Sequence, residues 1–247
     1  MDSLSSIIEV AGVFLLAGFV KGVIGLGLPT VAIALLSLMM TPAQAAALLI
    51  APSLVTNIWQ SVAGSSLRPL LRRLWPMFTG ICLGTWAGAG ILTGDNSVLA
   101  SAGLGGALVI YAALGLSNIH FSVPPRAEWW LAPAVGLATG LVTGATGVFT
   151  LPAVAYLQAI GLQKDELVQA LGLSFTVSTV ALAAALIDNG ALHLTQVGLS
   201  ALSLAAALVG MGLGQIVRTR VPAARFRLFF FVGLLLLGAH LAFRAFI

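Results

Sequence analysis

Long apolar runs alternate with short polar, glycine-rich or proline-containing stretches along the whole chain. We delimit ten runs by the charged residues, glycines and prolines at their ends. They cover approximately residues 7–24, 26–40, 43–63, 74–92, 98–116, 129–142, 147–160, 167–187, 194–217 and 226–246. Most of them approach the length of about 20 apolar residues that a helix needs to cross a bilayer. The pattern predicts an all-α polytopic membrane protein.

The second and seventh runs are shorter than most of the others. They contain about 15 and 14 residues. Helices of that length reach only about 22 Å through a hydrocarbon core that is about 30 Å thick. We therefore expect both to be short or broken segments. Two arrangements follow: ten crossings, or eight crossings together with two re-entrant segments.

A glycine motif stands at the start of each short run. Residues 18–30 and residues 140–152 both combine glycines with a proline inside apolar sequence. Gly18, Gly22, Gly25 and Pro29 recur as Gly140, Gly144, Gly147 and Pro152. Glycine is costly inside a helix and proline removes a backbone donor, so hydrocarbon tolerates such a break only where the freed groups face protein, water or a ligand. Two matched breaks predict one functional centre.

The similarity between the two halves extends beyond the breaks. With an offset of 123 residues, stretch 47–56 lies over stretch 170–179, so that an Ala/Ser/Thr-rich segment follows each break. We therefore divide the chain into a first transmembrane repeat of residues 1–120 and a second of residues 121–247, with five segments each, in one integral membrane domain. An odd number of crossings in each repeat makes the second repeat inverted relative to the first.

The composition agrees with a membrane protein. The 247 residues are 60% hydrophobic and 7% charged, whereas soluble domains contain about 25% charged residues. The net charge is +4, but the basic residues lie between apolar runs, where they set membrane orientation. We expect contact with the lipid bilayer and none with nucleic acid.

The placement of the basic residues distinguishes the two arrangements. With ten crossings, the ends on one side hold ten of the eleven basic residues. These ten are Lys21, Arg68, Arg72, Arg73, Arg126, Lys164, Arg218, Arg220, Arg225 and Arg227, and only Arg244 lies opposite. Two re-entrant segments would largely remove this bias. Because cytoplasmic loops are enriched in Lys and Arg, the sequence favours ten crossings, with both termini outside the cytoplasm.

Lys21 is the only charged residue inside either glycine motif. An ionisable group beside a helix break in a membrane is a functional candidate. It also lies near the expected cytoplasmic end of the first segment, where its ammonium could extend to the headgroups and act as an anchor. Both interpretations stay open at the level of the sequence.

The other candidate residues surround the two breaks. Backbone N–H groups of the motif glycines, and the N-terminus of a following half-helix, attract anions, while hydroxyl and amide groups can hydrogen-bond oxyanions. One segment after the breaks lies a paired polar set that we expect to line a pathway: Ser53, Thr56, Asn57 and Gln60, with Ser174, Thr176, Ser178 and Thr179 in the second half. Each of these residues also has a structural interpretation, as close helix packing or as bonding to its own helix. Together with Lys21, the candidate substrate-binding residues are Gly22, Gly25, Gly27, Ser53, Thr56, Asn57, Thr143, Gly144, Thr146, Gly147, Thr150, Thr176 and Thr179.

Two further patterns concern structure rather than chemistry. Thr41, Pro42 and Gln44 have the spacing of a capping box that opens the third segment. Glycines spaced by four residues predict helices that approach closely in lipid, and such faces also permit a homo-oligomer. They are Gly80, Gly84 and Gly88, then Gly136, Gly140 and Gly144, and finally Gly210 and Gly214.

The sequence suggests no catalytic or metal-binding constellation. His120, His193 and His240 are scattered along the chain, and no Ser/His/Asp set is indicated by position. The single cysteine, Cys82, has no partner for an internal disulfide. We therefore expect neither an enzyme nor a cofactor or metal.

The motif Gly18-x-x-x-Gly22-x-x-Gly25-x-Gly27, its repeat Gly140-x-x-x-Gly144-x-x-Gly147, and the segments at 46–57 and 169–179 together resemble the sulfite exporter TauE/SafE family. That resemblance implies a bacterial inner-membrane permease for small anions such as sulfite, sulfoacetate or other organosulfonates. Export would then proceed by alternating access around the two breaks. The alternative is a membrane scaffold or assembly partner that transports nothing, which would explain the glycine faces but not the polar residues beside matched breaks.

Overall fold

The computed structural model describes residues 4–94, 97–117, 121–191, 197–218 and 223–244. Within these ranges the chain forms ten α-helices and no β-strand. In order they are α1 (Leu4–Ile24), α2 (Leu28–Leu36), α3 (Pro42–Val62), α4 (Leu67–Thr93), α5 (Ser97–Leu116), α6 (Pro125–Thr146), α7 (Ala153–Ala159), α8 (Lys164–Asp188), α9 (Val197–Arg218) and α10 (Ala223–Arg244).

Six of the described helices are long and apolar enough to cross a membrane: α1, α3, α5, α8, α9 and α10. Helices α4 and α6 contain 27 and 22 residues, but the glycine, proline, tryptophan and threonine residues in their apolar stretches lower the mean hydropathy. The described part of the chain is therefore that of a multi-pass, all-helical membrane protein.

Helix ends differ from the apolar runs in two ways. Helix α4 begins at Leu67 and α6 at Pro125, several residues before their apolar runs, because a helix can continue through charged residues beyond the hydrocarbon. Helices α2 and α7 are only 9 and 7 residues long, shorter than their apolar runs. Glycines in left-handed conformation and the proline that follows them delay the start of each short helix.

Local capping signals produce the helix starts that they predict. The backbone N–H of Gln44 donates to Thr41 Oγ1 at 3.3 Å, and the Thr41 N–H donates to Gln44 Oε1 at 3.1 Å. This reciprocal pair is the expected capping box of α3. In the second half, the Gln163 N–H donates to Glu166 Oε2 at 3.1 Å at the start of α8.

Two pairs of helices pack in parallel through glycine faces. A Cβ added at Gly18 or Gly22 of α1 would overlap the carbonyls of Ala207 or Met211 in α9. Glycines of α4 meet α6 in the same way, since Cβ atoms at Gly80, Gly84 and Gly88 would meet the carbonyls of Pro133, Leu137 and Leu141. Residue numbers rise together along both pairs, so the paired helices run in the same direction.

Two other pairs are antiparallel. Gly172 of α8 faces Ser61 of α3, whereas Gln169, one turn earlier in α8, hydrogen-bonds the carbonyl of Gly64 beyond the end of α3. In α5, Gly105 lies against Gly238 of α10, while Gly115 lies against Phe231. The parallel pairs use the predicted glycine faces inside one chain, whereas the antiparallel pairs use glycines outside that set. A homo-oligomer through these faces stays a prediction.

Candidate functional site

Both glycine motifs end a helix with the same backbone turn. The N–H of Gly25 donates to the carbonyl of Lys21 at 2.8 Å, and the N–H of Gly147 donates to the carbonyl of Thr143 at 2.7 Å. Gly25 has φ 80°, Gly27 φ 105° and Gly147 φ 74°. Residues with a side chain rarely adopt this left-handed region, so glycine is required at these positions.

Lys21 lies in the protein interior beside the first break. Its side chain is only 4% exposed, and its ammonium donates to Thr56 Oγ1 at 3.1 Å and to Asn57 Oδ1 in α3. Among the described residues no carboxylate pairs with Lys21. The ammonium therefore points toward α3 and not toward the headgroups, and its charge is held by neutral oxygens alone.

Thr56 can accept from Lys21 because its own proton is used elsewhere. The Thr56 hydroxyl donates to the carbonyl of Pro52 at 2.8 Å, one turn earlier in α3. Asn57 accepts from Lys21 through Oδ1, while its Nδ2 is buried and has no hydrogen-bond partner within the described chain. Lys21 and Asn57 thus present a cation and an amide donor side by side.

Five buried hydroxyls on α2, α3 and α8 and at the second break also have no partner within the described chain. They are those of Thr30 in α2, Ser53 in α3, Thr150 at the second break, and Ser174 and Ser178 in α8. A buried polar group without a hydrogen bond is costly, and native proteins contain few. Such groups beside a break mark a place where ligand atoms or water could be bound.

Contacts between helices bring these segments together. A Cβ at Gly147 would meet Ile33 of α2 and Ala46 of α3. Phe149, which follows the second break, packs edge to face on Phe175 of α8 with ring centroids 5.4 Å apart. The second break therefore lies against α2, α3 and α8, the helices that carry four of these five hydroxyls.

Other predicted residues bond to their own helices. The hydroxyls of Thr143, Thr146, Thr176 and Thr179 donate to carbonyls one turn earlier, at distances from 2.6 to 2.8 Å. Thr176 also contacts Ser61 at 3.3 Å across the α3–α8 interface. These bonds satisfy the donors but leave lone pairs, and binding roles for the four threonines stay predictions.

Gly22 and Gly144 lie in helix contacts. Gly22 packs on α9 and Gly144 packs on α4, in both cases against backbone atoms. Close packing is sufficient to explain a glycine at each position. A binding role for either residue stays a prediction.

The structure adds Thr30 to the polar residues that the sequence interpretation places beside the breaks. Thr30, Ser174 and Ser178 are buried and unpartnered. Gln60 donates to the carbonyl of Gly25 at 3.3 Å and to that of Val168 at 2.9 Å, so it joins the first break to α8. Ser174, Ser178 and Gln60 belong to the predicted polar set, but their orientation depends on how α3 and α8 face each other.

Cavities lie at opposite ends of the α5–α10 pair. One of about 700 Å³ is bounded by Ile24 and Leu26 at the first break, Leu151 at the second, and the α5 end near Ser117. Another of about 520 Å³ lies beside the loop between α2 and α3, at the α5 start near Val98 and next to Arg244 of α10. The described part of the chain contains no group of three side chains that could hold a metal ion, and His120 and His193 lie outside it.

Comparison with known proteins identifies a family for this chain. The sequence model of the Sulfite exporter TauE/SafE family matches residues 10–241. Searches of the curated proteins and of the solved structures found no match. The family consists of membrane transporters for sulfite-type anions and not of enzymes. Because the match covers nearly the whole chain, the protein belongs to the sulfite exporter TauE/SafE family.

Proposed function

We propose that this protein is a secondary transporter or facilitator that exports a small oxyanion, either a sulfur oxyanion or an organosulfonate such as sulfite or sulfoacetate. The observation that carries the proposal is the buried Lys21 ammonium, which has neutral partners only and lies beside a helix break. Burying a charge without a counter-charge is costly. An anion bound next to Lys21 would offset that cost.

The chemistry of the surrounding groups fits an oxyanion. The Asn57 amide and the hydroxyls of Ser53, Ser174 and Ser178 are donors without partners in the described chain. Hydrogen bonds from an ammonium to an anion are about twice as strong as neutral ones. One cation surrounded by neutral donors would bind a small anion with an affinity low enough to allow its release. The inside-negative potential would assist export, since one charge crossing 100 mV gains about 2.3 kcal/mol.

We also propose that residues 1–120 and 121–247 are inverted repeats. The contacts between helices support this. When each helix of the first repeat is exchanged with its counterpart in the second, the same set of extensively contacting helix pairs results; the counterparts are α1 and α6, α3 and α8, α4 and α9, and α5 and α10. The α1–α9 contact becomes α6–α4, and the α3–α8 and α5–α10 contacts become themselves. The two cavities correspond in part, because each lies where one of α5 and α10 ends and the other begins, beside the start of α8 or of α3. A pathway that opens alternately at two equivalent ends needs this kind of symmetry.

The direction of packing favours ten crossings over eight. If α2 and α7 only dipped into the membrane and returned, α3 and α8 would run in the same direction, and so would α5 and α10. Both pairs are antiparallel. If α7 alone carried the chain across, α1 and α9 would be antiparallel, yet they are parallel. A chain that crosses at both short helices agrees with all the pairs, which supports the ten-crossing topology.

In the proposed topology both termini lie outside the cytoplasm, and the membrane is a bacterial inner membrane. Reporter fusions after Arg73 and after Arg220 should then both read cytoplasmic, because both sites lie on the basic side. Arg220 itself lies outside the described residues. Opposite locations for the two reporters would contradict the ten-crossing topology and leave the transport proposal to be judged separately.

Counterflow of labelled sulfite, and of a panel of labelled sulfonates that includes sulfoacetate, tests the transport proposal in proteoliposomes. We expect the wild-type protein to take up the labelled form of its substrate. Lys21→Gln should require a higher substrate concentration for the same rate, because it removes a ground-state contact. Absence of counterflow for every anion in the panel, with correctly inserted protein, would contradict the proposed substrate class. The scaffold alternative is disfavoured because the family consists of transporters.

A further inference from the structure

The larger cavity has a basic wall that the Lys21 site does not use. Three of its lining residues are Lys164 at the start of α8, Arg218 at the end of α9 and Arg227 in α10, and no acidic residue lines it. No carboxylate of the described chain pairs with any of the three. Since opposite charge is missing from the walls, the field inside this cavity attracts anions.

An aromatic surface lies next to the basic wall. Tyr111 of α5 and Phe231 of α10 pack edge to face with ring centroids 5.3 Å apart. The guanidinium carbon of Arg227 lies 5.9 Å from the Phe231 ring centroid. Tyr111 is only 4% exposed, and its hydroxyl has no hydrogen-bond partner within the described chain. The cavity thus joins cations, an unpartnered buried hydroxyl and an apolar surface.

We propose that this cavity is a second anion-binding site, separate from Lys21, for an anion that carries an apolar body. Arg218, Arg227 and Lys164 attract the charged group, Tyr111 offers a hydrogen bond, and Phe231 contacts the hydrocarbon part. Its volume of about 700 Å³ lies within the range of about 300–1,000 Å³ that is usual for organic ligands. A bare oxyanion would leave most of that space unfilled.

The position of the cavity gives the site its role, and this step rests on the proposed transport function. Ile24 and Leu26 of the first break and Leu151 of the second line its inner end. In the ten-crossing topology its outer end faces the cytoplasm. An anion captured there lies at the entrance to both breaks, so the basic wall raises the local substrate concentration before Lys21 is reached.

Binding is measured by calorimetry on purified full-length Lys21→Gln protein in nanodiscs of zwitterionic lipid, so that the Lys21 site does not contribute its cation. The probes are benzenesulfonate and sulfate. We expect benzenesulfonate to bind more tightly than sulfate and to weaken as salt rises. Arg218→Gln and Arg227→Gln should each weaken benzenesulfonate binding roughly fivefold, and Tyr111→Phe about threefold, because each removes a donor to the anion.

Arg225→Gln is the matched control, because Arg225 lies on α10 with Arg227 and is exposed, but does not line the cavity. It should bind benzenesulfonate like the parent protein. Phe231→Leu should reduce the preference for benzenesulfonate over sulfate. Equal loss in the Arg225→Gln control, or no loss in the Arg218 and Arg227 variants, would overturn the proposal.

Two further outcomes separate this site from its alternatives. A lipid headgroup is also an anion on an apolar body, so abolition of benzenesulfonate binding in nanodiscs that contain phosphatidylglycerol would identify a lipid as the occupant and overturn a soluble ligand. Binding with the expected variant pattern but no transport by the wild-type protein would support the site and contradict the proposed function. Transport that depends on Lys21, without binding of benzenesulfonate in the cavity, would support the proposed function and contradict the second site.

Discussion

The two helix breaks share a backbone turn but differ in their surroundings. In each, a left-handed glycine closes the preceding helix onto the carbonyl four residues earlier, of Lys21 in the first and Thr143 in the second. A Cβ at Gly25 would meet nothing within 4 Å, whereas one at Gly147 would overlap Ile33. The first break borders open space and the second is packed into the core.

The side chains at the breaks differ as well. The first carries a buried cation, Lys21, and the second carries at the equivalent position a threonine whose hydroxyl donates to its own helix. Phe149, after the second break, is fully buried. The backbone turn is the same in both breaks because glycine and proline determine it locally. The side chains at the breaks and the packing around them differ between the two halves.

The largest expected effect is that of Gly147→Val, compared with Gly25→Val. Valine strains either position by about 1–2 kcal/mol because of the left-handed φ. At Gly147 the overlap with Ile33 adds a further cost, for a total of about 3 kcal/mol or more. We expect both variants to lose transport, but only Gly147→Val to lose much folded protein, as measured by thermal unfolding in detergent and by membrane abundance.

Gly12→Val is the control, since a Cβ at Gly12 meets nothing within 4 Å and its φ is helical. Adding Ile33→Ala to Gly147→Val should restore part of the lost stability. Equal destabilisation at Gly25 and Gly147 would contradict the difference in packing, and full transport by both variants would remove the breaks from the binding site.

The second expected effect concerns a feature that both halves share, a glycine packed against a parallel helix. Gly18 of α1 and Gly140 of α6 both face a neighbouring helix, at the carbonyls of Ala207 and Ile81. Alanine at either should separate a helix pair and cost roughly 2 kcal/mol. The two losses, measured as shifts in thermal unfolding, should be similar. A large difference would show that the parallel helix pairs are not equivalent.

The third effect concerns the charge that only one break has. Lys21→Gln should raise the apparent KM for the anion about tenfold, or ~1.4 kcal/mol, because a contact with the bound anion is lost. Thr143→Val should change it much less. Thermal stability of Lys21→Gln should stay level or rise, since a buried charge with neutral partners is removed. Lys21→Arg should rescue only in part, because guanidinium is larger and planar.

An unchanged concentration dependence in Lys21→Gln would contradict a contact between Lys21 and the transported anion. A fall in stability with unchanged KM would make it a structural residue. Rates are compared at equal amounts of inserted protein, so that a loss of folding is not counted as a loss of binding.

The smallest effect tests how the second break is held in place. Arg73 of α4 donates to both carboxylate oxygens of Glu128 in α6, at 2.6 and 2.9 Å, and to the carbonyl of Ile160 just after α7. Because the pair is partly exposed, Arg73→Gln should cost about 1 kcal/mol or less. Arg72→Gln, beside it and without a described partner, is the control in thermal unfolding. An equal shift in both variants would show that the ion pair adds nothing measurable.

Much of the helical framework could be predicted from short-range patterns. The capping box at Thr41 and Gln44 formed as expected, because it needs only residues three apart. Helix ends were less accurate at Leu67 and Pro125, since a helix that leaves the hydrocarbon is no longer limited by apolar sequence. The breaks were placed correctly because glycine and proline act on the backbone where they stand.

The candidate site could be predicted only in part from short-range sequence patterns. The sequence singled out Lys21, Thr56 and Asn57, but not that Lys21 contacts the other two, which lie 35 and 36 residues away. It did not distinguish Gly147, which packs against α2, from Gly144, which packs against α4. Nor did it select Thr30, Ser174 and Ser178 over the threonines that bond to their own helices.

By itself, then, the sequence determined which stretches are helical, where the chain breaks, and which polar residues lie near the breaks. These depend on backbone restrictions, caps and apolar length, which act over a few residues. The tertiary structure alone decided which side chains meet and which buried hydroxyls are left without partners. Those outcomes depend on the rotation and direction of helices that are distant in sequence, and a pattern of local propensities does not fix either one.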